Sequence, residues 1–296
     1  MARAVDLEVA GPGAVALPGV MRRLLRRREA VVILVLLGLL IISAVAAPLF
    51  TPYSPIALAP RDRFQPPSLT HLFGTDELGR DLYTRVLYGG RIALGIGAAA
   101  TVIAMLIGVA WGFIAAMRRG WVDEILMRLA DAAMAIPTIL FALVLVAAFG
   151  ASTVNLAVII GLLLAPVTAR LARSAALDEL TSEYVLAAVA SGATRTRMLF
   201  SEVLPNTLPS LLVLATLNAA SAILTEASLS FVGLGVQPPE ASWGTLLFQG
   251  YQKIYQAIWY PIFPGLVIFL TIWLLNLLAD QLQSVMDPRE RGSMRA

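Results

Sequence analysis

His71 is the only histidine in a chain of 296 residues that has no cysteine. One imidazole without a thiol partner cannot complete a zinc site, and disulfides and a Cys nucleophile are excluded with it. No His-Glu-x-x-His run is present, and His71 lies outside the apolar segments. Neither a zinc nor a Ser–His intramembrane protease can be assembled from such a set. Four of the polar residues in or beside apolar runs invite a reading. Glu226 and Asn218 are candidates for a substrate path, because a carboxylate within a membrane span is functional by default. Solvation or a local turn cap is the alternative for Glu226. Hydrogen bonding between helices is the alternative for Asn218, and the reading given to Asn276. Asp131 is predicted to pair with Arg128 one turn earlier. A second cluster, Asp76, Gly79, Arg80 and Asp81, is charged and punctuated by glycine just before an apolar run. It suits salt bridges that order a loop, or contact with a docked protein. His71, in the same stretch, is read as an exposed loop residue without a ligand role.

These residues must be positioned by apolar helices. Hydrophobic residues make up 58% of the chain and charged residues 14%, far from the balance of a soluble domain. Six runs approach the roughly 20 residues needed to cross a bilayer: 30–50, 92–117, 132–149, 154–169, 208–224 and 258–278. The predicted organisation is a 1–29 lead, a first span at 30–50 and a 51–90 loop. A five-helix core at 91–280, containing a loop at 170–206, and a 281–296 tail complete it. Pro52, Pro55, Pro60, Pro66 and Pro67 make the first loop extended at its start. Pro137, Pro166, Pro261 and Pro264 are expected to kink helices, and Gly95, Gly97, Gly108 and Gly112 suggest close helix packing as much as any pore role.

Arg and Lys set the orientation. Of 22 basic residues, 21 are Arg and one is Lys253. Sixteen fall in the lead, the second, fourth and tail connections, and six (Arg61, Arg63, Arg80, Arg85, Arg91 and Lys253) in the others. The richer set belongs in the cytoplasm, so both termini are predicted there, with the chain in a bacterial inner membrane. The net charge of +3 thus reflects topology, and no nucleic-acid partner is expected. Arg22–Arg28, an apolar run and Ala44-Val45-Ala46 imitate a signal peptide, but the run is long and five more spans follow.

The loop at 170–206 carries the most specific pattern. Thr181 or Ser182 is predicted to cap one helix, which Gly192 ends in the left-handed conformation. Thr194 is predicted to cap a second, which Leu204-Pro205 closes before Asn206 starts the fifth span. Val185, Leu186 and Val189 form an apolar stripe, and Ala187, Ala188 and Gly192 leave a shallow surface. Such an element suits docking into a partner's groove.

Ala187-Ala188, Gly192 four residues on, and Leu204-Pro205 twelve beyond the glycine resemble the EAA loop of ABC importer permeases. Leu186 and Glu202 depart from that pattern. Within this family the C-type permeases of dipeptide, oligopeptide and nickel importers are echoed elsewhere. The stretches are His71–Asp81, Glu226–Pro239, Ser242-Trp243-Gly244, Leu278-Ala279-Asp280 and Asp287-Pro288-Arg289. The resemblance implies an all-α type I importer permease with a MetI-like core. It implies a second permease, two cytosolic ATPases and an extracytoplasmic solute-binding protein as partners. ATP and Mg would sit on the ATPases, with no cofactor on this chain. Consistent with that division, no Gly-rich phosphate loop ending in Gly-Lys-Ser/Thr exists here. The implied coupling residues are Glu183, Val185, Leu186, Ala187, Ala188, Val189, Gly192, Leu204 and Pro205. Asp76, Gly79, Arg80 and Asp81 become candidates for extracytoplasmic docking. Dipeptides, oligopeptides, nickel chelates and haem all stay open as cargo. A secondary transporter would show an internal repeat, which is missing; a structural membrane subunit is the other alternative.

Overall fold

The computed structural model describes residues 17–286, and their regular structure is all helical apart from an isolated bridge between Thr75 and Asp81. The helices are α1 (Leu17–Leu24), α2 (Arg28–Val45), α3 (Ala47–Phe50), α4 (Leu82–Arg118), α5 (Gly120–Met134) and α6 (Thr138–Phe149). They continue with α7 (Thr153–Leu180), α8 (Glu183–Ala190), α9 (Arg195–Met198), α10 (Leu204–Phe231), α11 (Trp243–Gln252) and α12 (Trp259–Met286). Arg3, Asp287, Pro288, Arg289, Arg291 and Arg295 lie outside the described residues.

Five helices are long and apolar enough to cross a membrane, and the pair α5 and α6 makes a sixth crossing if taken as one bent span. The span expected at 132–149 is therefore not one helix. Pro137 ends it, and α5 and α6 meet at 87°. Proline has no N–H for the preceding turn and disfavours helix in the residue before it. The first expected span, 30–50, is divided at Ala46 into α2 and α3, while the second, fourth, fifth and sixth are shorter than the helices found. α4 has 37 residues, about 55 Å at 1.5 Å per residue, and starts at Leu82 within the stretch expected to be loop. Its start is set by Asp81, whose side chain accepts from the Thr84 backbone N–H. α7 runs on to Leu180, eleven residues past the expected end of the fourth span.

α4 and α7 form the tightest contact of the fold. A methyl at Gly112 would come within 2.2 Å of the Ala169 carbonyl oxygen, and one at Gly108 within 2.5 Å of Thr168 Cβ. Gly97 makes a similar approach to Ile223 of α10, whereas Gly95 faces open space. Small residues thus bring backbones together where lipid offers no hydrophobic drive. Asn218 of α10 donates to Thr168 Oγ1 at 2.9 Å across this junction. Asn276 does not bridge helices; it donates to the Ile272 carbonyl of its own helix. Val20 and Leu24 of α1 pack with Leu282 and Val285 of α12, so both described ends share one end of the bundle.

Candidate functional site

The cluster around Asp76 is an interior knot. Asp76 is fully buried, and Arg80 and Asp81 are 7% and 6% exposed. Asp76 Oδ1 accepts from the backbone N–H groups of Leu78 and Arg80 at 2.8 and 2.9 Å. Its Oδ2 accepts from Arg80 Nε at 2.7 Å and Arg85 Nη1 at 2.6 Å. Arg85 extends the network to Gln249 Oε1 and the Tyr260 hydroxyl, both at 3.3 Å, joining the loop to α11 and α12. Asp81 caps α4 and accepts from His71 Nδ1 at 2.9 Å. A carboxylate only accepts, so Nδ1 carries the proton. Thr84 donates to Asp81, so Thr51 must donate to Thr84 Oγ1 at 2.5 Å. Gly79 has φ +75°, and a methyl there would fall 1.7 Å from the Ala59 carbonyl oxygen.

This arrangement orders the loop, as the charges suggested. It also withdraws Asp76, Arg80 and Asp81 from any docking surface, because buried side chains cannot meet another protein. His71, expected exposed, is a partner of Asp81 with its side chain 13% exposed. Spacing could not reveal Arg85, which lies in what reads as the apolar approach to a span.

At the opposite end, α8 is pinned to the bundle from one side. Val185 is 1% exposed and packs among Phe113, Ala172, Met198 and Val203. It is part of this chain's own core, so its expected role as a contact for a partner is corrected. Leu186 and Val189 are 57% and 53% exposed. Ala187 is also exposed and Ala188 half-buried. The Tyr184 hydroxyl donates to the Glu179 carboxylate and accepts from Asn206 Nδ2 at 2.7 Å, tying α8 to the end of α7 and the start of α10. Burial and the neighbouring carboxylate push the Tyr184 hydroxyl up to about 12, so it stays protonated at neutral pH. Tyr184 was not among the residues expected to matter; a tyrosine beside an exposed helix start carries no pattern of its own.

Gly192 has φ +81°, with its N–H on the Val189 carbonyl and that of Ala193 on the Ala188 carbonyl, both at 3.0 Å. This is the paired bonding of a Schellman end. Thr194 Oγ1 accepts from the Arg197 N–H at 3.3 Å, as a cap should. Ser182 occupies the cap position of α8, but its hydroxyl donates back to the Glu179 carbonyl, and that of Thr181 to Asp178. Leu204-Pro205 does not close a helix either. A π turn at Leu199–Val203 leads directly into α10, where Pro205 takes a first-turn position that needs no N–H.

Asp131 pairs with Arg170 of α7, and Arg128 with Glu124 at 3.1 Å. Asp123 accepts two bonds from Arg173, each at 2.5 Å. Sequence proximity favoured Arg128 for Asp131, but the bend at Pro137 lays α5 along α7. Glu226 is fully buried, not solvated at an interface; its Oε1 accepts from Ser230 at 2.6 Å and Oε2 has no partner among the described residues. Asn218 is 4% exposed and engaged with Thr168, so the bond between helices holds the side chain that was also placed on a substrate path.

Losing the Tyr184 bond should loosen α8 without unfolding the bundle. Tyr184→Phe is expected to speed amide exchange in 183–191 about five- to tenfold, from roughly 1 kcal/mol for one hydrogen bond. Hydrogen-exchange mass spectrometry checks this, and unchanged protection would remove the tie.

Long apolar helices and a bent span are those of a polytopic membrane protein. The chain belongs to the family described as the binding-protein-dependent transport system inner membrane component, which it matches over residues 108–292. Residues 19–67 match the N-terminal transmembrane domain of oligopeptide transport permease C. It is 42% identical to a Brucella suis protein named as a peptide transport system permease, over 95% of this chain and 98% of that one. It is 39% identical to the oligopeptide transport system permease protein OppC of Bacillus subtilis, over 92% of this chain and 89% of that one. The fold matches a permease of the MetNI methionine ABC transporter with a TM-score of 0.58 at 18% identity, covering 70% of this chain and 97% of that one. The protein is thus a multi-pass membrane permease component of an ABC importer with a MetI-like core, and not itself the catalytic part.

Proposed function

We propose that this chain pairs with a second permease to form the path for di- or oligopeptides, delivered by an extracytoplasmic binding protein. In this reading, α8 receives the motion of a cytosolic ATPase that carries ATP and Mg. The observation that carries it is the division of α8 into a buried face at Val185 and an exposed apolar face at Leu186 and Val189. An apolar face on a helix beyond the spans suits a surface that another protein covers. The relatives' names support peptides as cargo, and sixteen basic residues against six support cytoplasmic termini.

The absence of cysteine makes the docking test clean. A single Leu186→Cys or Val189→Cys chain should cross-link to an ATPase subunit carrying cysteines along its groove, whereas Leu69→Cys in the outer loop should not. Equal cross-linking from both sites, or none from α8, would overturn the docking. Orientation is checked separately. Alkaline phosphatase fused after Asp287 should be inactive and a fluorescent protein there bright, and the reverse pattern would invert the topology.

A further inference from the structure

The inner halves of α4 and α10 enclose a groove of about 750 Å³ that is lined almost wholly by hydrocarbon. Leu106, Ala110 and Ile114 form one wall, and Phe200, Leu204 and Leu208 the other. Both walls end in arginine: Arg118 is one turn beyond Ile114, and Arg197 one turn before Phe200. Both arginines are exposed, and neither meets a carboxylate among the described residues. Their neighbours differ, since Arg128, Arg170 and Arg173 are each paired with an acid on α5. An apolar slot between two membrane helices, with an exposed arginine that meets no acid one turn beyond each wall, has the chemistry of a lipid with an anionic headgroup.

We propose that this groove holds an acyl chain of an anionic phospholipid, with its phosphate between Arg118 and Arg197. The π turn at Leu199–Val203 supplies part of the wall and connects α9 to α10. A lipid seated there touches the joint through which movement of the α8 segment reaches α10. The site rests on groove and charge alone and holds whether or not α8 docks an ATPase.

The test uses the full chain purified with its co-expressed partners in nanodiscs of mixed phosphatidylglycerol and phosphatidylcholine. Native mass spectrometry should find phosphatidylglycerol retained over phosphatidylcholine. Arg118→Gln with Arg197→Gln should weaken that retention about thirtyfold, at roughly fivefold for each cation near a lipid surface. Ala110→Trp, which obstructs the groove and leaves both arginines, should also release the lipid. Retention unchanged in the arginine pair overturns the proposal, as does retention unchanged in Ala110→Trp. Efficient cross-linking of Leu208→Cys to the second permease in native membranes overturns it too, because the groove is then covered by protein.

Discussion

Asp76→Ala should lower the stability of the end of the permease that holds this knot by about 3–5 kcal/mol, the cost of removing one partner from a buried ion pair. Asp76 is fully buried and is the shared acceptor for Arg80 and Arg85. Deleting it leaves two guanidinium groups with little water and only weaker neighbours. Arg80 retains Glu77 at 3.5 Å, and Arg85 retains Gln249 and Tyr260 at 3.3 Å. Two backbone N–H groups lose their acceptor as well. Asp76→Asn separates these contributions, because its amide oxygen still accepts the backbone bonds while the charge is gone. Thermal melting of the purified complex should rank wild type above Asp76→Asn above Asp76→Ala. Proteolysis should open first between Thr51 and Asp81. A melting temperature of Asp76→Ala equal to wild type would show that the knot is surplus to the fold.

Much of the membrane architecture was legible because hydropathy is a strong, local signal. The 92–117 run falls wholly within α4, and Gly192 announced a left-handed residue that the Schellman bonds of Ala193 and Gly192 confirm. What stayed hidden depended on partners distant in sequence. Asp131 meets Arg170 across 39 residues, so a rule for neighbours one turn apart chose Arg128 instead. Val185 reads as one of three equivalent apolar residues, and only the packing of Phe113 and Met198 distinguishes it from Leu186 and Val189. Charges in a loop between spans suggest solvent or docking. Their burial follows from the way Arg85, itself within α4, reaches back to Asp76. Pro205 misled for a related reason: proline stops a helix it follows but is tolerated at the start of one, and the intervening π turn left no sequence mark.

Leu186→Asp should abolish solute uptake while leaving insertion, expression and melting close to wild type. The side chain is 57% exposed in the isolated chain, so an aspartate there is hydrated and costs the fold little. Once a partner covers the face, the same carboxylate loses its water with no cation on α8 to meet it. An unpaired charge buried in an interface weakens association by several kcal/mol, about two orders of magnitude or more. Ala188→Asp should act in the same direction, and Val185→Asp differently. Val185 is buried in this chain's own core, so its aspartate should disorder the loop and lower the melting temperature. Gly192→Val tests the frame that aims α8. Open space surrounds Gly192, so the cost is backbone strain at φ +81° alone, about 1–2 kcal/mol, and Gly192→Asn should recover most of it. Uptake by proteoliposomes and pull-down of the ATPase subunits report the two steps independently. If Leu186→Asp kept full uptake and wild-type ATPase association, the exposed face of α8 would have no part in coupling.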